Sequence, residues 1–174
     1  MEAATGNNIT SHVTKGLILA VILIIYSVVG HLANLLQRDW YFMEGVGIFV
    51  AGIVWGVVNY AGQMKGEVDF SKLLVYGLKL AAVVTCLLFI YSLLEVYLFF
   101  PGYMQQKVMS YALRASKNGK IDQESYNANK DEAVKVLTTM YFAGTVMGTM
   151  IVGLLSTLVG GVLAKKNPVI PIVQ

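Results

Sequence analysis

From Gly16 to Leu36 the chain carries no Asp, Glu, Lys or Arg, and further apolar stretches with only scattered charges follow at Met43–Gln63, Lys72–Phe100 and Ala133–Ala164. This pattern restricts the fold more than any other feature. A run of about 20 apolar residues, rising 1.5 Å each as a helix, matches the hydrocarbon core of a bilayer. In lipid the backbone polar groups must be bonded internally, and for an isolated run only the helix does that. Composition agrees, with 56% hydrophobic and 13% charged residues, against about 45–50% and 25% in a soluble domain. The expected fold class is all-α, an integral membrane four-helix bundle forming a single membrane domain over residues 1–174.

The connections support this division. A polar segment over residues 1–12 reads as a flexible tail. Lys15 is the only cation close before the first run, and no A-x-A site follows that run, so it reads as a retained span rather than a signal peptide. "QRDW" at Gln37–Trp40 makes a tight polar connection, with Trp40 and Tyr41 suited to the headgroup level. "KGEVDFS" closes the second span with a turn at Gly66, and Asp69 or Ser71 is placed to cap the third. That span stops at Pro101-Gly102 in "FFPGYMQQKV", because proline cannot continue the helical ladder.

Residues 101–132 form an extramembrane helical insert between the third and fourth spans. Met104, Val108, Tyr111, Ala112 and Ala115 recur at helical spacing on one face, opposite Gln105, Gln106, Lys107, Ser110 and Arg114. This predicts an amphipathic helix lying on the membrane surface or against its partner helix. Asn118-Gly119 signals a turn, Asp122 caps a second polar stretch, and Asn129 with Glu132 resembles a capping box opening the last span. "KKNP" closes that span. An even number of spans puts both termini on one side. Lys65, Lys72, Lys165 and Lys166 against Arg38 in the short flanks favour the cytoplasmic side.

Ionisable or strongly polar groups inside spans are the default functional candidates. Here these are His31, Asn34, Asn59, Lys79 and Glu95. Ser27, His31, Asn34 and Arg38 fall at spacings that share one helix face. His31 and Glu95 lie at similar depths from the outer ends of their spans, which makes a His31–Glu95 pair geometrically available. Such a pair serves as an interhelical hydrogen bond, as a proton relay or as a site for a polar substrate. Lys79 is placed near the depth of Asn59 and can reach the headgroups by snorkelling.

Other chemistry has little to stand on. His12 is placed outside the first span, so no two histidines share a depth and no metal or haem site is expected. No catalytic triad, phosphate loop or paired-carboxylate motif is present, so neither an enzyme nor a cofactor is expected. Cys86 reads as a small core filler. The net charge of +3, without a basic cluster interleaved with aromatics, gives no reason to expect nucleic acid.

Small residues carry more information. Gly52 and Gly56 repeat at a spacing of four in the second span, and Gly144, Gly148, Gly153 and Gly160 mark the fourth. Lipid offers no hydrophobic drive for helix association, so small residues that let backbones approach do that work. These glycines are expected to pack the helices of one chain together, or to dock a second copy or another membrane protein.

The third span ending in "FFPGYMQQKV", the polar helical insert and a last span reading "IVGLLSTLVGGVLAKKNP" together resemble a family of small bacterial four-span inner-membrane proteins of unknown function. The resemblance covers about residues 13–168, although the insert here is richer in Asn, Ser and Lys than the acidic insert usual in the family. It implies an inner-membrane location, cytoplasmic termini and a periplasmic insert, and it supplies no catalytic residues. The expected role is a non-enzymatic scaffold or accessory subunit of a bacterial inner-membrane assembly. A small oligomeric transporter or proton-linked permease using His31, Asn34 and Glu95 is the rival reading. An accessory subunit of a lipid-linked glycan or glycosyltransferase system is a third, and it rests on the resemblance alone.

Overall fold

The computed structural model describes residues 11–33, 35, 38–64, 67–117 and 123–166. Among them the chain forms α1 (His12–Leu32), α2 (Asp39–Gln63), α3 (Phe70–Leu94), a π-helical turn (Glu95–Phe99), α4 (Tyr103–Lys117) and α5 (Gln123–Lys166), with no strand. The fold is all-α. Spans His12–Leu32, Trp40–Gln63, Phe70–Phe99 and Asn129–Lys166 are each long and apolar enough to cross a membrane, as in a multi-pass membrane protein. Asn34, Gly66, the Asn118-Gly119 turn, Asp122, Pro168 and the tail before Ser11 lie outside the described residues.

Several local expectations are corrected. Helix α1 begins at His12, with the Ser11 hydroxyl accepting the Val13 N–H at 3.1 Å, so His12 belongs to the span. The helix also ends earlier than expected. Ala33 N–H bonds Val29 C=O at 2.9 Å and Leu35 N–H reaches back to Gly30 C=O at 2.8 Å, which closes the helix after Leu32. Arg38 is the residue before α2, so it does not share a helix with Ser27 and His31 of α1. Asn129 and Glu132 start no helix, because α5 runs unbroken from Gln123 through a stretch free of Gly and Pro as far as Ala143. Its 44 residues measure about 66 Å, roughly twice a hydrocarbon core, so its polar first turns stand outside any bilayer that its apolar part crosses. Cys86 is exposed rather than a core filler. On α4, Met104 and Val108 are buried, but Tyr111 is exposed.

The chain divides into two compact units: the chain up to Leu88 together with the segment from Thr149, and Phe89–Gly148. In the first, Leu19, Ala20 and Leu23 of α1 meet Phe49 and Ile53 of α2 and Tyr76, Leu80, Ala81 and Val84 of α3 in one buried apolar cluster. Val57, Ala61, Val68, Leu73 and Ala164 form a second, bringing in α5. Close backbone approach makes these contacts. A Cβ on Gly153 would lie 2.7 Å from the Ala81 Cβ, one on Gly160 3.0 Å from the Val57 Cβ, and one on Gly56 2.7 Å from a Leu80 methyl, while Gly52 packs under Leu19. The Thr85 and Thr149 hydroxyls meet at 2.9 Å.

The α1–α2 hairpin is fastened by two tyrosines. Tyr26 and Tyr41 stack with centroids 4.2 Å apart. The Tyr26 hydroxyl donates to Tyr41 C=O at 2.9 Å, and the Tyr41 hydroxyl donates to Tyr26 C=O at 2.5 Å. Tyr41, expected at the headgroups, is therefore buried, while the neighbouring Trp40 is half exposed. Gly30 admits the Tyr41 ring, which would lie 2.5 Å from a Cβ placed there.

In the second unit Phe142 of α5 packs edge-on against Phe89 at 6.1 Å and tilted against Tyr97 at 6.0 Å. Gly144 and Gly148, expected in the packing face, meet no atom within 4 Å among the described residues. The more sheltered row of α5 here passes through Tyr141 and Thr145, which leaves these two glycines to one side of it.

Candidate functional site

The second unit is organised around one carboxylate. Glu95 opens the π-helical turn, and its C=O accepts the Phe100 N–H at 2.8 Å, a bond spanning five residues. The wider turn falls just before Pro101, which has no N–H to extend the helix. Glu95 is 1% exposed, and its carboxylate accepts the Tyr141 hydroxyl of α5. Tyr103 of α4 sits edge-on to Tyr141, with centroids 6.3 Å apart at 74°. The Lys107 ammonium lies 4.7 Å from the Tyr103 ring centroid and 5.4 Å from that of Tyr141. Tyr103 and Lys107 are four residues apart on α4, so they share a face one turn apart.

The physical logic is compensation. A buried carboxylate is costly unless it is hydrogen-bonded and faced by positive charge. The phenol donates to it, and the lysine places its cation over the negative faces of the same rings. Burial lowers the pKa of Lys107, and the Glu95 charge opposes that shift. Burial raises the pKa of Tyr103, with the Glu95 charge acting in the same direction. The arrangement can hold a proton and can tie the end of α3 to α4 and α5.

A second polar cluster occupies the first unit. Lys15, only 4% exposed, donates to Asn59 Oδ1 at 2.6 Å and reaches Gly56 C=O at 3.4 Å. Its ammonium stands 5.7 Å from the Trp55 ring and 5.5 Å from the Tyr76 ring. Gln63 also donates to Asn59 Oδ1, at 3.1 Å. Beside this cluster a cleft of about 370 Å³ is lined by Ser11, His12, Tyr60, Ser71, Lys72, Val75, Tyr76 and Lys79.

The sequence-derived candidates therefore fall in different places. Glu95 is at the centre of its cluster, with Tyr141 as partner. His31 is half-buried in the last turn of α1, within the first unit. Asn59 is met by Lys15, while Lys79 is exposed on the wall of the cleft. Sequence reasoning missed Lys15, Tyr103, Lys107 and Tyr141. The spacing of Tyr103 and Lys107 was a usable signal, and so was a tyrosine within the fourth span. Lys15 looked like a flanking charge only because the helix was expected to start after it.

No curated protein and no solved structure matches the chain. The model of the family described as "Protein of unknown function (DUF4199)" matches residues 14–166, and the chain belongs to that family.

Proposed function

We propose that this protein is a non-enzymatic membrane subunit, a scaffold or accessory piece of a bacterial inner-membrane assembly with both termini in the cytoplasm. One observation carries the reading: among the described residues, no buried side-chain nitrogen or oxygen lacks a hydrogen-bond partner. Lys15 with Asn59, Thr85 with Thr149 and Tyr141 with Glu95 spend their polar groups on each other. Interhelical polar bonds of this kind hold membrane helices together. The lysine pairs near the span ends support the orientation.

The rival reading, a proton-linked permease, draws on the π-helical turn at Glu95, since such turns inside helices often mark functional positions. The two separate in a complementation experiment with Glu95→Gln and Tyr141→Phe in a strain lacking the gene. The scaffold reading expects any loss of complementation to follow loss of protein abundance or of its native-gel assembly. Glu95→Gln present at normal abundance and fully assembled, yet unable to complement, would overturn it in favour of the permease.

A further inference from the structure

The cleft of the first unit combines features that the scaffold reading does not use. Lys72, Val75, Tyr76 and Lys79 recur on one face of α3, so both ammonium groups address the same side of the helix. His12 and Ser11 enter from the start of α1, and Ser71 lies in the first turn of α3. Among the described residues that line it there is no carboxylate. Two long helices thus begin at the cleft, and helix N-termini carry partial positive charge that favours anions. The Ser11 oxygen accepts from Val13 N–H, and a hydroxyl bonded in this way still carries a proton to donate.

The walls add to this. Tyr60 and Tyr76 stack with centroids 4.0 Å apart, His12 stands edge-on to Tyr76 at 6.0 Å, and the Lys15 ammonium lies 5.5 Å from that same Tyr76 ring. The position is equally specific. His12 and Phe70 are the first residues of two candidate spans, and Tyr60 lies one turn from the end of a third. The cleft therefore opens at the depth where lipid phosphates sit. Basic pockets between spanning helices at that depth suit anionic headgroups.

The geometry points to this cleft as a binding site for a phosphate-bearing anion at the membrane surface, held by Lys72 and Lys79 with His12, Ser11 and Ser71 around it. The same chemistry is offered by an anionic phospholipid headgroup and by free phosphate, and the experiment separates them. The full chain, purified in detergent and stripped of lipid, is titrated with phosphatidylglycerol, phosphatidylcholine or inorganic phosphate, following thermal stability and bound lipid by native mass spectrometry.

The expected result is retention of phosphatidylglycerol over phosphatidylcholine by the wild type. Retention should weaken roughly fivefold for each of Lys72→Gln and Lys79→Gln and be restored by Lys72→Arg with Lys79→Arg. Stabilisation by inorganic phosphate alone, lost in the same glutamine variants, keeps the site and assigns it to a soluble anion. The wild-type measurement stands whatever happens to the variants. If the wild type prefers neither phosphatidylglycerol nor phosphate, or the glutamine variants, folded, bind as tightly as the parent, the proposal is wrong.

Discussion

Where α5 belongs to the first unit it is gripped through its glycines, and where it belongs to the second it is held through the aromatic side chains Tyr141 and Phe142. Gly153 lies against Ala81, and Gly160 against Val57 and the Val54 backbone. A Cβ placed on Gly144 or Gly148 would meet no atom within 4 Å among the described residues, while Tyr141 on that stretch bonds Glu95. The difference shows what glycine spacing can and cannot say. Close approach needs a neighbouring helix across the contact, as Ala81 of α3 and Val57 of α2 provide. Where a tyrosine takes the inward row, the glycine is left outside. One helix thus uses both ways of holding helices together in lipid, packing and polar bonding.

The largest effect expected from this contrast is at Gly153. Gly153→Leu drives a side chain into Ala81 and Phe49 and should cost about 1–3 kcal/mol, read as a lowered thermal midpoint in detergent. Gly148→Leu should stay within about 0.5 kcal/mol of the parent. Equal destabilisation by the two would erase the distinction between the halves of α5.

A smaller loss is expected at the α1–α2 clasp. Tyr41→Phe removes the hydroxyl that bonds Tyr26 C=O but keeps the stacked ring. It should cost about 0.5–1.5 kcal/mol. Since Tyr41 belongs to the first unit, hydrogen exchange should quicken around α1 and α2 and stay unchanged around α4. A change spread over α4 as well would show that the two units do not respond separately.

The smallest effect is a pH dependence confined to the second unit. Burial lowers the Lys107 pKa, so the folded chain binds that proton less tightly than the unfolded chain does. Stability from this group therefore rises with pH through the window between its lowered value and the ordinary value of about 10.4. Tyr103, with its pKa raised by burial, contributes stability that is present below about pH 10 and lost as pH rises through its folded value. Thermal midpoints should climb with pH through that window in the parent and climb less in Lys107→Met. An identical slope in both would remove Lys107 from the account.

The four spans could be read from the sequence because apolar run length and the exclusion of charge act locally and leave few alternatives. Pro101 was equally decisive, since the missing N–H ends the helix whatever surrounds it. Other features depended on partners distant in the chain. Tyr41 looked like a headgroup residue until Tyr26 across the hairpin claimed it. Glu95 stood out as an ionisable group in a span, but nothing local to it indicated Tyr141. The wide turn at Glu95–Phe99 has no sequence code of its own, since it is the accommodation of a helix end to a proline and a packed carboxylate. Lys15 was misjudged by a boundary error: starting the helix at His12 carries the lysine inward to Asn59.

If buried polar groups tie the helices together, Glu95 and Tyr141 must be energetically coupled. A double-mutant cycle of Glu95→Gln, Tyr141→Phe and the two together, followed by unfolding in detergent, isolates their coupling. Each single change is expected to destabilise, and the double change to cost less than the sum by about 0.6 kcal/mol and at most about 1.7 kcal/mol, the mean and maximum found for polar pairs in membrane helices. Additive losses, or single variants as stable as the parent, would mean that the carboxylate and the phenol do not hold the helices together.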